Sequence, residues 1–122
     1  MVSHRILVVD DDRSACAAVS RMLTGEGYIV DTADNGVAAL EAVEHHDYDL
    51  AILDYQMPGM DGVELCQRIR LVKPEIPAVF VTAYTTINTV FPAVIAGAER
   101  VLAKPVDIHE LVPVVQELIG KR

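Results

Sequence analysis

Short apolar runs alternate with stretches of helical periodicity along the chain, and three of those runs end in a reactive side chain. They are Ile6-Leu7-Val8-Val9 before Asp10-Asp11-Asp12, Leu50-Ala51-Ile52-Leu53 before Asp54, and Val101-Leu102-Ala103 before Lys104-Pro105. A short apolar run closed by an acid or base reads as a buried strand that delivers that group to one rim of a sheet. After the first run, Ala15, Ala18, Val19, Met22 and Leu23 recur at helical spacing, and Gly25 and Gly27 end that helix. Tyr28–Ala33 alternates weakly as a second strand. Asp34-Asn35-Gly36 then turns into a helix reaching His46, with Leu40 and Val43 inward. Leu50–Asp54 is the third strand, and Met57-Pro58-Gly59-Met60 a loop. Asp61 and Glu64 make a capping-box-like start for a helix with Leu65, Cys66, Ile69 and Val72 on its apolar face. Ala78–Thr82 is the fourth strand, Thr86–Ala96 a fourth helix closed by Gly97, and Val101–Ala103 the fifth strand. Asp107 and Glu110 open a last helix that runs to Gly120.

Five strand–helix units fill residues 1–122 and predict a single domain without linker or repeat. Connections of this length favour parallel strands with right-handed crossovers. The expected fold is α/β, a doubly wound five-stranded parallel sheet with helices on both faces. A hydrophobic fraction of 52% suffices for one core. The net charge of −8 argues against direct binding of nucleic acid. No apolar run approaches the roughly 20 residues of a membrane span, and no signal-peptide pattern opens the chain, so a cytoplasmic location is expected. Cys16 and Cys66 fall on helical faces and read as small buried hydrophobes. His4, His45, His46 and His109 show no metal-ligand spacing.

Parallel strands share one C-terminal rim, where α/β proteins build their sites. Asp10, Asp11, Asp54 and Lys104 then converge. Clustered carboxylates repel unless a cation joins them, which predicts a hard divalent metal, an anionic ligand, or both. Asp54 at its strand end could ligate metal or act as a nucleophile. Mg²⁺ suits an all-oxygen site of few carboxylates. Lys104 offers a point charge, and Thr82 a hydroxyl at the end of the fourth strand. Phosphoryl transfer to a carboxylate uses all of these groups.

The chain resembles the receiver domain of two-component response regulators from Ile6 to Leu118. The resemblance rests on Val8-Val9-Asp10-Asp11, on Asp54 followed by Met57-Pro58-Gly59-Met60-Asp61-Gly62, and on Thr82-Ala83, Gly97-Ala98 and Lys104-Pro105. It implies a flavodoxin-like (βα)5 fold with strand order 2-1-3-4-5. It implies that Asp54 accepts a phosphoryl group from a phosphohistidine on a sensor histidine kinase or phosphotransfer protein. Asp11, Asp54 and the backbone carbonyl of Gln56 would bind Mg²⁺, with Asp10 acting through a water. Lys104, Thr82 and the backbone N–H of Ala83 would hold the phosphoryl oxygens, and a cis bond before Pro105 would aim Lys104 inward. Such a domain is a switch and not a turnover enzyme.

Bland readings apply to the remaining acids. Asp12 and Asp61 read as helix caps, and Asp31, Asp34, Asp47 and Asp49 as solvated turn and loop acids. For Asp10, Asp11, Asp54 and Lys104 the bland reading is an ordinary surface ion-pair cluster. A haloacid-dehalogenase-type phosphatase would want an acid where Gln56 stands. A nucleotide-binding module would want a glycine-rich loop where Asp10-Asp11-Asp12 stands. A degenerate receiver serving as a scaffold would lack part of the acid set.

The family usually carries an aromatic residue where this chain has Val101, so the fourth helix is the expected carrier of the signal. Pro92 and Pro113 lie unusually deep inside the last two helices. Gln56 and Tyr84, each two residues beyond a strand end, are expected to flank the phosphoryl group. From Thr85 to Ala98 no residue is charged. Val90 and Val94, with Val101, Ala103, Val112 and Val114, make an expected apolar strip for a homodimer or an effector. The chain could be a stand-alone regulator or the N-terminal part of a longer one.

Overall fold

The computed structural model describes residues 3–83 and 87–120. The elements are β1 (Arg5–Val9), α1 (Arg13–Thr24), β2 (Ile29–Ala33), α2 (Gly36–His45), β3 (Leu50–Asp54), α3 (Gly62–Val72), β4 (Ala78–Thr82), α4 (Ile87–Ile95), β5 (Ala98–Ala103) and α5 (Ile108–Gly120). The strands form one parallel sheet in the order β2-β1-β3-β4-β5, as expected.

Every residue of β3 and β4 is buried, because helices cover both faces of the sheet there. Leu7, Val9, Leu53 and Phe80 point to one side, where Val43, Leu65, Ile69 and Ala93 of α2, α3 and α4 meet them. Ile6, Val8, Ile52 and Val79 point to the other, where Val19, Leu23, Leu111 and Val115 of α1 and α5 close the second half of the core.

Side-chain caps start α1, α3 and α5. The Oδ1 of Asp12 accepts the N–H groups of Ser14 and Ala15 at 2.9 and 3.3 Å. Asp61 Oδ1 accepts the Glu64 N–H at 2.8 Å, and Asp107 Oδ1 accepts the His109 N–H at 2.7 Å. These satisfy amide donors that have no partner within the helix. Glu64 does not reach back to complete a capping box; its carboxylate pairs with Arg68, one turn on, at 2.9 Å.

Several expectations shift. On α1 the buried face centres on Cys16, Val19 and Leu23, with Ala15, Ala18 and Met22 only half-buried. Cys16 and Cys66 are free and buried, as expected. Val72 is exposed, because α3 ends there and its face has already left the sheet. Val112 is buried, since α5 buries adjacent pairs at 111–112 and 118–119 and so presents a wider apolar face than one stripe. β5 begins at Ala98, with an irregularity where β4 passes from Ala78 to Val79. Asp31 is no turn acid: it lies inside β2, where Arg5 and the Tyr48 hydroxyl donate to its Oδ2 at 2.8 and 2.7 Å. Asp49 accepts the Arg5 N–H, and Asp47 pairs with Lys73. Pro92 and Pro113 do sit inside α4 and α5. Pro113 and His109 are both exposed, and the proline's missing N–H takes away the usual helical partner of the His109 carbonyl.

Candidate functional site

Asp10 follows β1, Asp54 ends β3, Thr82 ends β4 and Lys104 follows β5, so the parallel register brings all four to one rim. The backbone ties that rim together: Asp10 N–H donates to the Ala33 carbonyl at 3.1 Å, and Lys104 N–H to the Thr82 carbonyl at 2.9 Å. Asp10, Asp54 and Thr82 are buried polar residues within an otherwise apolar core.

Both oxygens of Asp10 are engaged. Its Oδ1 accepts the Asp12 N–H at 2.9 Å, and its Oδ2 faces the Lys104 ammonium at 2.8 Å. The same ammonium reaches Asp54 Oδ2 at 3.4 Å. The Lys104–Pro105 peptide is cis. Carboxylate oxygens of Asp10, Asp11 and Asp54 lie within 4.8 Å of one another.

Burial and the neighbouring Asp10 charge push the Asp54 carboxyl up to about 6, against the opposing pull of Lys104. Burial alone would lower Lys104, but its hydrogen bond to Asp10 and the charges of Asp54 and Asp10 outweigh that and hold it above the ordinary lysine value. The Lys104 ammonium meets only Asp10 and Asp54 of the three clustered carboxylates, so the rim is short of positive charge. An all-oxygen donor set in that state fits a hard cation such as Mg²⁺.

Gly62 has a role that the sequence left unassigned. A Cβ there would stand 2.2 Å from the Asp54 carbonyl oxygen. Only glycine lets α3 start directly against the end of β3, where Gly62 N–H donates to the Tyr55 carbonyl at 2.9 Å. The signal was present in the Asp61-Gly62 pair, which reads as a cap followed by a close approach.

The other expected residues sit around the rim. Gln56 and Ala83 are exposed, directly after β3 and β4. Tyr84 lies outside the described residues, as do Thr85 and Thr86 at the expected start of the fourth helix. On α4, Val90 is half-buried and Val94 exposed; on β5, Val101 is half-buried against the α2–α4 half of the core.

A family model described as the response regulator receiver domain matches residues 6–116. The chain is a response regulator receiver domain. Phosphorylation and Mg²⁺ are properties of that family, and two-component signalling is its context. The receiver is 42% identical over 106 residues to the transcriptional regulatory protein ZraR of Klebsiella oxytoca, covering 87% of this chain and 24% of that protein. It is 36% identical to the response regulator MprA of Mycobacterium ulcerans, covering 98% of this chain and 52% of that one. The receiver thus spans about a quarter of the length of the first regulator and about half of the second. Among solved structures, the response regulator TrrA of Thermotoga maritima in complex with Mg(2+)-BeF matches with TM-score 0.85 and 36% identity, over 94% of this chain and 98% of that chain. Among the described residues, no helix is long and apolar enough to cross a membrane.

Proposed function

We propose that this receiver is a phosphorylation-activated switch in which Asp54 accepts a phosphoryl group from the phosphohistidine of a sensor histidine kinase or phosphotransfer protein. The supporting observation is the unequal use of the two buried acids. Asp10 accepts the Asp12 N–H and pairs with Lys104 at 2.8 Å, whereas Asp54 meets the same ammonium only at the longer distance of 3.4 Å. A carboxylate oxygen of Asp54 attacks phosphorus, the P–N bond breaks, and the imidazole leaves and takes up a proton. Lys104, the Thr82 hydroxyl and the Ala83 N–H hold the phosphoryl oxygens. Asp11, Asp54 and the Gln56 backbone carbonyl would hold Mg²⁺, with Asp10 acting through a water. Bound there, the ion neutralises charge on the acid cluster and on the phosphoryl group. TrrA, solved with Mg(2+)-BeF, supports that assignment by similarity.

The domain transfers and slowly loses its own phosphoryl group, without turning over a substrate. We place it in the cytoplasm, where a kinase partner would meet it, and its charge of −8 leaves nucleic acid to other domains or proteins. The output face comprises α4, β5 and α5, and a second copy or an effector docks there. Val94 and Ile95 leave apolar surface at 55% and 68% exposure, and Ala103 at the end of β5 is also exposed. Val90 and Val101 are half-buried and support that face from below; Val112 is buried and drops out of it.

Incubation with acetyl phosphate and Mg²⁺, followed by intact mass, tests the switch against a scaffold reading. One added phosphoryl group, lost in Asp54→Asn, is expected. No addition to the unaltered chain would favour the scaffold.

A further inference from the structure

Gly36 opens α2 and is buried against Met60, the residue before the Asp61 cap of α3. A Cβ at position 36 would stand 2.7 Å from Met60 Sδ, 2.9 Å from its Cβ and 3.1 Å from its Cγ. The thioether end of Met60 could swing aside from such a group. Its Cβ could not, because that atom moves only with the backbone of the loop. Glycine at 36 therefore lets the loop between β3 and α3 close onto the first turn of α2.

That contact joins the two loops that flank the carboxylate cluster. On one side, the Ala33 carbonyl at the end of β2 accepts the Asp10 N–H at 3.1 Å, and Asn35 caps α2 by accepting the Ala38 N–H at 2.8 Å. On the other side, both neighbours of the exposed Gln56 are anchored. The Tyr55 carbonyl accepts the Gly62 N–H at 2.9 Å, and Met57 is buried in the core. Met60, packed against that same core and seated on Gly36, completes a closed path from Asp10 to Gln56. We propose that Gly36 and Met60 are positioning residues. Their contact sets where the Gln56 carbonyl stands relative to Asp11, and with it the affinity of the rim for a divalent cation. A thioether is too soft a donor for Mg²⁺, so Met60 acts through the loop and not as a ligand. The effect on the cation rests on the metal assignment proposed above; the link between the two loops does not.

Calorimetric titration with magnesium chloride, without phosphodonor, tests the positioning role, with urea denaturation as the check on folding. Gly36→Ala is expected to weaken Mg²⁺ binding about tenfold, because the loop must move off its seat. Val37→Ala, at the exposed neighbouring position on α2, is expected to leave it unchanged. Met60→Ala removes the Sδ and Cγ contacts, so Gly36→Ala on that background is expected to cost only about threefold. Met60→Leu keeps an apolar side chain on the seat and is expected to bind as the unaltered protein does. Unchanged affinity in folded Gly36→Ala, or the same loss on both backgrounds, overturns the positioning role. Should Gly36→Ala fail to fold, Met60→Ala decides: affinity equal to that of the unaltered protein overturns it. Amide chemical shifts of metal-free Gly36→Ala read the loop link directly. Movement at Gln56 is expected, and its absence overturns the link. Movement at Gln56 in a protein whose unaltered form binds no Mg²⁺ counts against the metal assignment and upholds the link.

Discussion

The Lys104 ammonium lies 2.8 Å from the carboxylate of Asp10. That contact fixes one buried acid and brings the ammonium within 3.4 Å of the other, Asp54. Lys104→Met therefore leaves two buried carboxylates facing each other without a cation. Chemical denaturation at pH 8 is expected to show a loss of about 2 kcal/mol, since the lysine is partly solvated and the full cost of a broken buried pair is larger. Mg²⁺ is expected to restore part of that loss by binding the folded state.

A second prediction follows from the raised carboxyl of Asp54. Its folded value of about 6 lies above the ordinary 3.8, so the folded state holds that proton more tightly than the unfolded chain does. Stability is then fully retained below the unfolded value and falls as pH rises through the folded one. Asp54→Asn cannot ionise. In metal-free buffer it is expected to be more stable than the unaltered protein at pH 8, by about 1 kcal/mol, with the gap closing toward pH 4. Thermal melts across that range check the sign.

Asp11 and Asp12 are adjacent acids with different structural roles. Asp11 is exposed and belongs to the carboxylate cluster, while Asp12 caps α1. Asp11→Ala is expected to weaken Mg²⁺ binding more than Asp12→Ala does. Asp12→Ala is expected to cost about 1 kcal/mol of stability through the lost cap. Calorimetric titration and urea denaturation of both variants separate the two roles.

On α4, Val94 is exposed and Val90 half-buried. Val94→Glu is expected to disrupt self-association or effector binding while leaving Asp54 labelling intact. Val90→Glu is expected to cost stability as well. Sedimentation of phosphorylated and unphosphorylated protein reads the first effect; thermal melts read the second.

The rim was legible because the apolar runs of β1 and β3 stop at their functional residues, whereas the order of the strands came from the family resemblance. Burial on both faces demands that pattern at β1 and β3, and it placed Asp10, Asp54 and Lys104 correctly. Helix faces were less legible where small residues surround the true centre. Ala15 and Ala18 resemble core positions in the sequence, but Cys16 takes the buried place and the alanines stay half-buried. Val112 looked surplus because one stripe seemed enough for α5, although two adjacent buried pairs widen its face. Asp31 was misjudged because its partners, Arg5 and Tyr48, are distant in sequence and meet only across the folded edge. Gly62 was signalled only by its place after the Asp61 cap, and its role follows from how closely α3 approaches Asp54.

Reductive trapping offers the most direct measurement of the central claim. After incubation with acetyl phosphate and Mg²⁺, borohydride converts an aspartyl phosphate to homoserine, which peptide mass spectrometry can place in the sequence. Homoserine at position 54, and at neither position 10 nor position 11, is the predicted result. Homoserine at Asp10 or Asp11 with Asp54 unchanged would contradict the assignment of the phosphoryl acceptor.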